Sequence, residues 1–91
     1  MTITKNEALI QVVLDRLINK RLPRILDIKE KVKKGELLNE MDIHFLSTVM
    51  KDNRDNQYLI KYDEMLKKVF ARAMHLYKEI TDIALENERK N

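Results

Sequence analysis

The chain has 91 residues, of which 44% are hydrophobic and 36% are charged, and its formal net charge is +3. This length fits one domain over residues 1–91, and one glycine and one proline leave little material for strands and tight hairpins. The absence of cysteine excludes disulfides and thiolate chemistry. No run approaches the length of apolar sequence that a membrane span requires, so the composition favours an all-α protein.

Charge is distributed unevenly along the chain. Residues 1–34 contain nine Lys or Arg and four acidic residues, a balance of +5, whereas residues 35–91 contain nine and eleven, a balance of −2. Opposite charges on two segments predict that their helices pair, either within one chain or in an antiparallel dimer. The apolar stretch near the N-terminus is interrupted by Gln11, Asp15 and Arg16. It lacks the cleavage site of a secretory signal, so we expect a cytoplasmic protein.

The first third of the chain predicts two helical segments. Thr4 followed by Glu7 forms a capping box, which predicts a helix over about 5–21. Pro23 prevents a straight helix from continuing, but apolar spacing resumes beyond it, so a second segment is predicted over 23–34. The sequence leaves open whether the chain kinks or breaks at the proline.

A short helix over about 40–52 is predicted next. Asn39 is a favourable N-cap for it, because its side chain can accept a hydrogen bond from the first turn. The residues expected on its buried face are Met41, Phe45, Leu46, Val49 and Met50. The polar run 51–57 is the expected loop before a last helix over about 57–88.

The last helix carries the clearest pattern in the sequence. Its apolar residues step alternately by three and four from Leu59 to Ile83, the spacing that turns one stripe toward a neighbouring helix. A helix over 57–88 spans about 48 Å, which exceeds the roughly 30–35 Å diameter of a compact chain of this size. We therefore expect an elongated all-α bundle of three to four helices without strands, in which the bent segment 5–34 lies antiparallel beside the last helix.

The apolar face of the last helix is wider than one neighbour requires, which is typical of a helix that contacts two or more others. We therefore expect a homodimer or a complex with another helical protein. The expected interface comprises Leu59, Tyr62, Leu66, Val69, Phe70, Ala73, Leu76, Tyr77, Ile80 and Ile83. Asn87 follows on the same register, where it either aligns a partner helix or lies in a frayed end.

His75, Glu79 and Asp82 are candidate metal ligands, because His and Glu four residues apart can bind one ion from a single helix. The heptad register places His75 and Asp82 on the outer face, and the Glu-x-x-His spacing of dinuclear bundles is absent. We therefore expect a solvent-exposed pair of His75 and Glu79, and no metal or other cofactor. A metal-binding bundle is kept as an alternative.

Lys20, Arg24, Lys31 and Lys34 share one helical face, and such a face can follow a phosphate backbone. The face carries no aromatic platform, and no recognition-helix motif accompanies it. A solvated face or a contact with an acidic partner is the favoured interpretation. A regulator that binds nucleic acid through residues 20–34 is the alternative.

Catalytic chemistry has few candidates in this chain. There is no cysteine, one serine and no glycine-rich phosphate loop. The carboxylates follow the polar faces of the predicted helices, where nothing raises their pKa for acid catalysis. The sequence thus predicts a non-enzymatic helical interaction or assembly module that self-associates through the 57–88 helix.

Overall fold

The computed structural model describes residues 4–90, and every regular element in that range is helical. The elements are α1 (Lys5–Arg16), a π turn (Leu17–Arg21), α2 (Leu22–Lys33), α3 (Glu40–Asp55), a 3₁₀ turn (Gln57–Tyr62) and α4 (Glu64–Lys90). The molecule measures 57 × 19 × 17 Å, with a radius of gyration of 14.9 Å. A compact chain of this length has a radius of gyration of about 12 Å. The expected elongated all-α bundle without strands is confirmed for the described residues.

The chain passes Pro23 without a loop. Helical backbone continues from Lys5 to Lys33, and a π turn precedes the proline, with the Leu22 amide donating to the Leu17 carbonyl. Pro23 then lies in the first turn of α2, where a backbone N–H is not needed for an intrahelical hydrogen bond. At the proline the chain therefore shows neither a simple kink nor a break. Instead, the helix type changes locally from α to π and back to α.

The π turn also resolves a mismatch in the apolar register of this first helix. Ile10 and Val13 are buried before the turn and Leu17 is buried at its first residue, whereas Ile25, Ile28 and Val32 are buried after it. A heptad repeat that continued from the first three would place its next core positions at 20, 24, 27 and 31, and the last three of these are one residue earlier than the residues that are buried. A π turn accommodates one extra residue, so both halves of the helix present their apolar faces to the same core.

Helix α3 is longer than the sequence predicts. The Asn39 side chain accepts from the Asp42 amide at 2.8 Å and the Asp42 side chain accepts from the Asn39 amide at 3.1 Å, which completes a capping box. The helix continues to Asp55 rather than ending near 52. Leu46 is buried as expected, whereas Met41, expected on the buried face, is 72% exposed.

Helix α4 begins at Glu64 instead of residue 57. Asp63 has extended backbone angles, and its side chain accepts from the Leu66 amide at 2.8 Å, so it is the N-cap. The preceding residues form a 3₁₀ turn, whose three residues per turn do not keep a 3.5-residue register. Tyr62 is consequently 55% exposed and leaves the predicted stripe, whereas Leu59 is fully buried.

The first and last helices run parallel, which corrects the antiparallel arrangement expected from sequence. Lys29 of α2 pairs with Glu79 of α4 at 2.8 Å, and further along both helices Asn87 donates to the Val32 carbonyl at 2.9 Å. Helix α3 and the 3₁₀ turn carry the chain back along the bundle, so α4 must start near the N-terminal end of α1. The topology is up, down, up.

Helix α3 is held to the first helix by contacts between opposite charges. Arg21 pairs with Asp52 at 2.7 Å, and Lys31 pairs with Asp42 at 2.6 Å. Each ion pair that joins separate elements in the described chain has its cation in residues 1–34 and its carboxylate beyond them. The uneven charge distribution is therefore used within one chain. None of the described helices combines the length and apolarity that crossing a bilayer demands.

Candidate interaction surface

The predicted interface stripe is largely occupied inside the protein. Seven of its ten residues are buried in the core, namely Leu59, Leu66, Val69, Phe70, Ala73, Leu76 and Ile80. Tyr77 and Ile83 are half-buried and pack against the same core. A partner reaches this stripe only if α4 separates from its own neighbours. The stripe therefore accounts for the stability of the bundle, and it is not a surface open to binding.

Asn87 makes contacts within its own chain and does not lie in a frayed helix end. Its side chain is buried and donates to the Val32 carbonyl at 2.9 Å and to the Glu36 carbonyl at 3.1 Å. These carbonyls lie at and just beyond the C-terminal turn of α2, where backbone acceptors lack intrahelical donors. Asn87 therefore caps α2 from a neighbouring helix.

The metal candidates do not converge. His75 Nε2 lies 2.6 Å from Glu79 Oε1, and Glu79 also pairs with Lys29, whereas Asp82 pairs with Lys78 at 3.1 Å. The hydrogen bond from Lys29 is the main reason that the pKa of Glu79 lies below its usual value. Within residues 4–90 no three His, Asp or Glu side chains are grouped so as to hold a metal ion.

Contacts with α3 involve some cations of the basic face 20–34 and leave the others exposed. Lys31 is held by Asp42 at 2.6 Å, and the Arg24 guanidinium lies 4.2 Å from the centre of the Phe45 ring. Lys20 and Lys34 remain exposed. Two of the four cations thus already serve the fold, which reduces the charge that a phosphate backbone would meet.

A surface that the sequence did not indicate lies between α3 and α4. Two adjoining recesses of about 280 and 320 Å³ form a groove along these helices and share Met50, Arg54 and Met74. We call this surface the α3–α4 groove. Its lining consists of Ser47, Met50, Asn53, Arg54, Gln57, Ile60, Lys67, Phe70, Ala71, Met74 and Tyr77.

The groove lies between α3 and α4, whose backbones approach each other closely at few positions. The ion pairs of Asp42 and Asp52 join α3 to Lys31 and Arg21 and do not reach α4. On the open side Met74 is 51% exposed and Met50 is half-buried. Methionine side chains are flexible and polarisable, so walls of this kind adapt to an apolar occupant.

Asn53 is the unusual polar residue of the groove. The residue is 6% exposed, and its Nδ2 is the one buried side-chain nitrogen or oxygen of residues 4–90 without a hydrogen-bond partner. An unsatisfied buried donor costs roughly 1–3 kcal/mol. A bound molecule that offers an acceptor would remove this cost.

The groove also carries positive charge without a counter-charge. Arg54 and Lys67 are its ionisable residues apart from Tyr77, and neither forms an ion pair with any residue of the described chain. No acidic residue lines either recess. A negatively charged group at this edge would therefore be attracted without competition from the protein's own carboxylates.

Sequence reasoning missed this groove because no local motif encodes it. Met74 lies outside the apolar stripe predicted for the last helix, and the opposite wall of the groove depends on how α3 packs. Asp63 was a missed signal of a different kind, because Asp followed by Glu64 is a typical helix start. It moves the start of α4 from residue 57 to Glu64.

The chemistry of the groove is suited to binding. The carboxylates with displaced pKa values, Asp42 and Glu79, lie outside its lining, and in both the pKa is lowered, which opposes a role as general acid. The groove lining combines apolar walls, one unsatisfied donor and two cations, which are groups that can contact a ligand. In comparisons with known proteins, no family model, curated protein or solved structure matches this chain.

Proposed function

We propose that the protein is a non-enzymatic helical interaction module that binds a helical segment of another protein in the α3–α4 groove. The observation that carries the proposal is an apolar groove left open in a bundle whose heptad stripe is already covered. Its walls, built around Met50, Met74 and Tyr77, present apolar surface along α4. Exposed apolar grooves of this kind accept the apolar face of an amphipathic helix.

Self-association through the 57–88 segment draws less support than a heterologous partner. The stripe that was expected to mediate it is buried against α2 and the 3₁₀ turn. Exposing this stripe would bring residues such as Leu66 and Ile80 back into water. Each would then lose about 1.5–3 kcal/mol of the free energy gained by burial. The open groove imposes no such cost.

The test is selection from a displayed library of amphipathic helical peptides, followed by affinity measurement with purified protein. We expect selected helices to bind the wild type and to lose at least about tenfold in affinity to Met74→Glu, because the carboxylate disrupts the apolar wall. Leu85→Glu is the matched control: Leu85 is 55% exposed on the same helix and lies outside the groove. Equal binding by both variants, or no enrichment of helices, contradicts the proposal.

A further inference from the structure

The charge and hydrogen-bonding capacity of the α3–α4 groove define its partner more closely. We propose that the groove binds an acidic amphipathic helix, with apolar side chains between Met50 and Met74, carboxylates on Arg54 and Lys67, and a side-chain acceptor on Asn53. This inference rests on the proposed function, because it names the chemical class of the helix that the groove accepts.

The two cations that line the groove favour a negative occupant, because they lie together beside apolar surface with no carboxylate in the lining. Arg21, Lys29 and Lys31 all pair with carboxylates elsewhere in the bundle. Arg54 and Lys67 line the groove together without such a partner in residues 4–90. Complementary charge at an apolar surface mainly selects the partner and speeds its association, so a basic helix of equal hydrophobicity is rejected.

The shape of the groove favours a helix over a small amphiphile. Its lining on α4 extends from Lys67 to Tyr77, ten residues or about 15 Å. This length matches two to three helical turns, with anchors at i, i+4 and i+7. Sites for small ligands bury most of the ligand surface, whereas the half-exposed Met74 shows that this groove is open along one side.

Asn53 adds a requirement that hydrophobic fit alone does not impose. Asn53 lines the groove, and its Nδ2 has neither a hydrogen-bond partner nor exposed surface. An occupant therefore reaches this donor when a neighbouring side chain of the lining moves aside. The backbone carbonyls in the middle of a helix are already used within that helix. The acceptor must therefore come from a side chain, and a Glu or Asp on the helix satisfies both Asn53 and the neighbouring cation.

The experiment compares helical peptides that differ only in charge. Peptides of one apolar face, flanked by Glu in one set and by Lys in the other, are titrated against the folded full chain. We expect the Glu set to bind at least about tenfold more tightly at low salt. The double reversal Arg54→Glu with Lys67→Glu should invert this preference. The matched control, Lys68→Glu with Arg72→Glu, reverses two exposed cations of α4 outside the groove and should leave it unchanged.

Each alternative result has a distinct meaning. Groove-dependent binding without charge preference overturns this inference and leaves the proposed function standing. Absence of groove-dependent helix binding overturns both. Two other outcomes would assign the groove to a different occupant. If the protein is a homodimer that Met74→Glu dissociates, the occupant is a second copy. If no helix binds but decanoate does, and Met74→Glu abolishes decanoate binding, the occupant is a small amphiphile. Asn53→Leu should weaken the Glu peptides selectively, and equal weakening of both sets removes the proposed hydrogen bond.

Discussion

Asp42 joins two structural tasks in one buried carboxylate. It accepts from the Asn39 amide in the capping box of α3 and from Lys31 of α2 at 2.6 Å. Burial acts to raise the pKa of Asp42, but the hydrogen bonds from Lys31 and the Asn39 amide outweigh it, so that the pKa is lowered. The ionised form therefore stabilises the fold.

The pH dependence of stability should show this contribution. The pKa of Asp42 is lower when folded than its ordinary value of 3.8, so its stabilisation is complete above that value and is lost as pH falls through the folded pKa. We expect Asp42→Asn to lower the free energy of unfolding by about 1 kcal/mol at pH 6. In urea denaturation the difference from wild type should shrink below about pH 4. A difference independent of pH would show that the charge of Asp42 is immaterial.

Asn87 provides the second prediction at the scale of single residues. Its amide donates to the Val32 and Glu36 carbonyls and so joins the end of α4 to the end of α2. We expect Asn87→Ala to cost roughly 1–3 kcal/mol, because a buried hydrogen bond to the Val32 carbonyl and a partly buried one to the Glu36 carbonyl are lost. Glu88→Ala, a change at the exposed neighbour, should cost less than about 0.5 kcal/mol. Equal costs in thermal denaturation would mean that water replaces the amide.

At the scale of elements, α4 is stabilised by a single apolar stripe. Leu66 is fully buried whereas Met65, its neighbour, is 56% exposed. We expect Leu66→Ala to cost roughly 2–5 kcal/mol, since the truncation leaves a cavity in the core. Met65→Ala should cost less than about 0.5 kcal/mol. Chemical denaturation of both variants measures the difference, and similar losses would place the stripe on a different face.

The π turn before Pro23 is explained by the extra residue in the register of the first helix. Deleting Asn19 together with Pro23→Ala should give a continuous α-helix with its apolar face aligned, so that stability stays within about 1 kcal/mol of wild type. The deletion with Pro23 retained should cost about 3 kcal/mol, because the ring then meets a helical carbonyl.

A deletion in a regular helix is the control for this experiment. Removing Lys78 from α4 rotates Ile80 and the residues beyond it off the apolar face, and we expect a loss above about 3 kcal/mol. Thermal melts followed by circular dichroism rank the three variants. If both deletions cost the same, the π turn does not absorb an extra residue.

The elements show which features local sequence encodes. From Leu66 to Ile80 the repeat of three and four identifies the buried face, because helical geometry alone determines which positions share a side. Leu59 and Tyr62 fit the same repeat, yet they precede the cap at Asp63, and the pattern cannot reveal that the chain leaves the helix there. The predicted last helix was therefore too long at its start, because the repeat alone does not show where a helix begins.

Features that depend on packing were beyond the sequence. Met41 has helical spacing to Phe45, but the way α3 lies on α2 leaves it exposed. The α3–α4 groove needs residues from three elements, and its unmatched charge becomes apparent only when the ion pairs of the other cations are known. The buried face of α4 was predictable, and the open surface beside it was not.

The whole molecule bears on the expected oligomeric state. A predicted last helix of about 48 Å suggested an overhang beyond a compact fold. The molecule is itself 57 Å long, and the parallel first helix covers α4 along much of that length. Stable homodimers commonly bury more than about 2,000 Å² of largely apolar surface. The α3–α4 groove is small by comparison, and two copies joined groove to groove would bring Arg54 and Lys67 of each copy together.

We therefore expect a monomer of 10.9 kDa by light scattering over a concentration range of about 1–100 µM. A contact this small, with like charges facing each other, should be too weak to form dimers at these concentrations. Adding an acidic helical peptide should raise the mass by one peptide, and higher salt should reverse this because the attraction is electrostatic. A concentration-dependent dimer would restore self-association. Its sensitivity to Met74→Glu, compared with Leu85→Glu, would then distinguish association through the groove from an exchange of α4 between copies, in which the groove is not the contact.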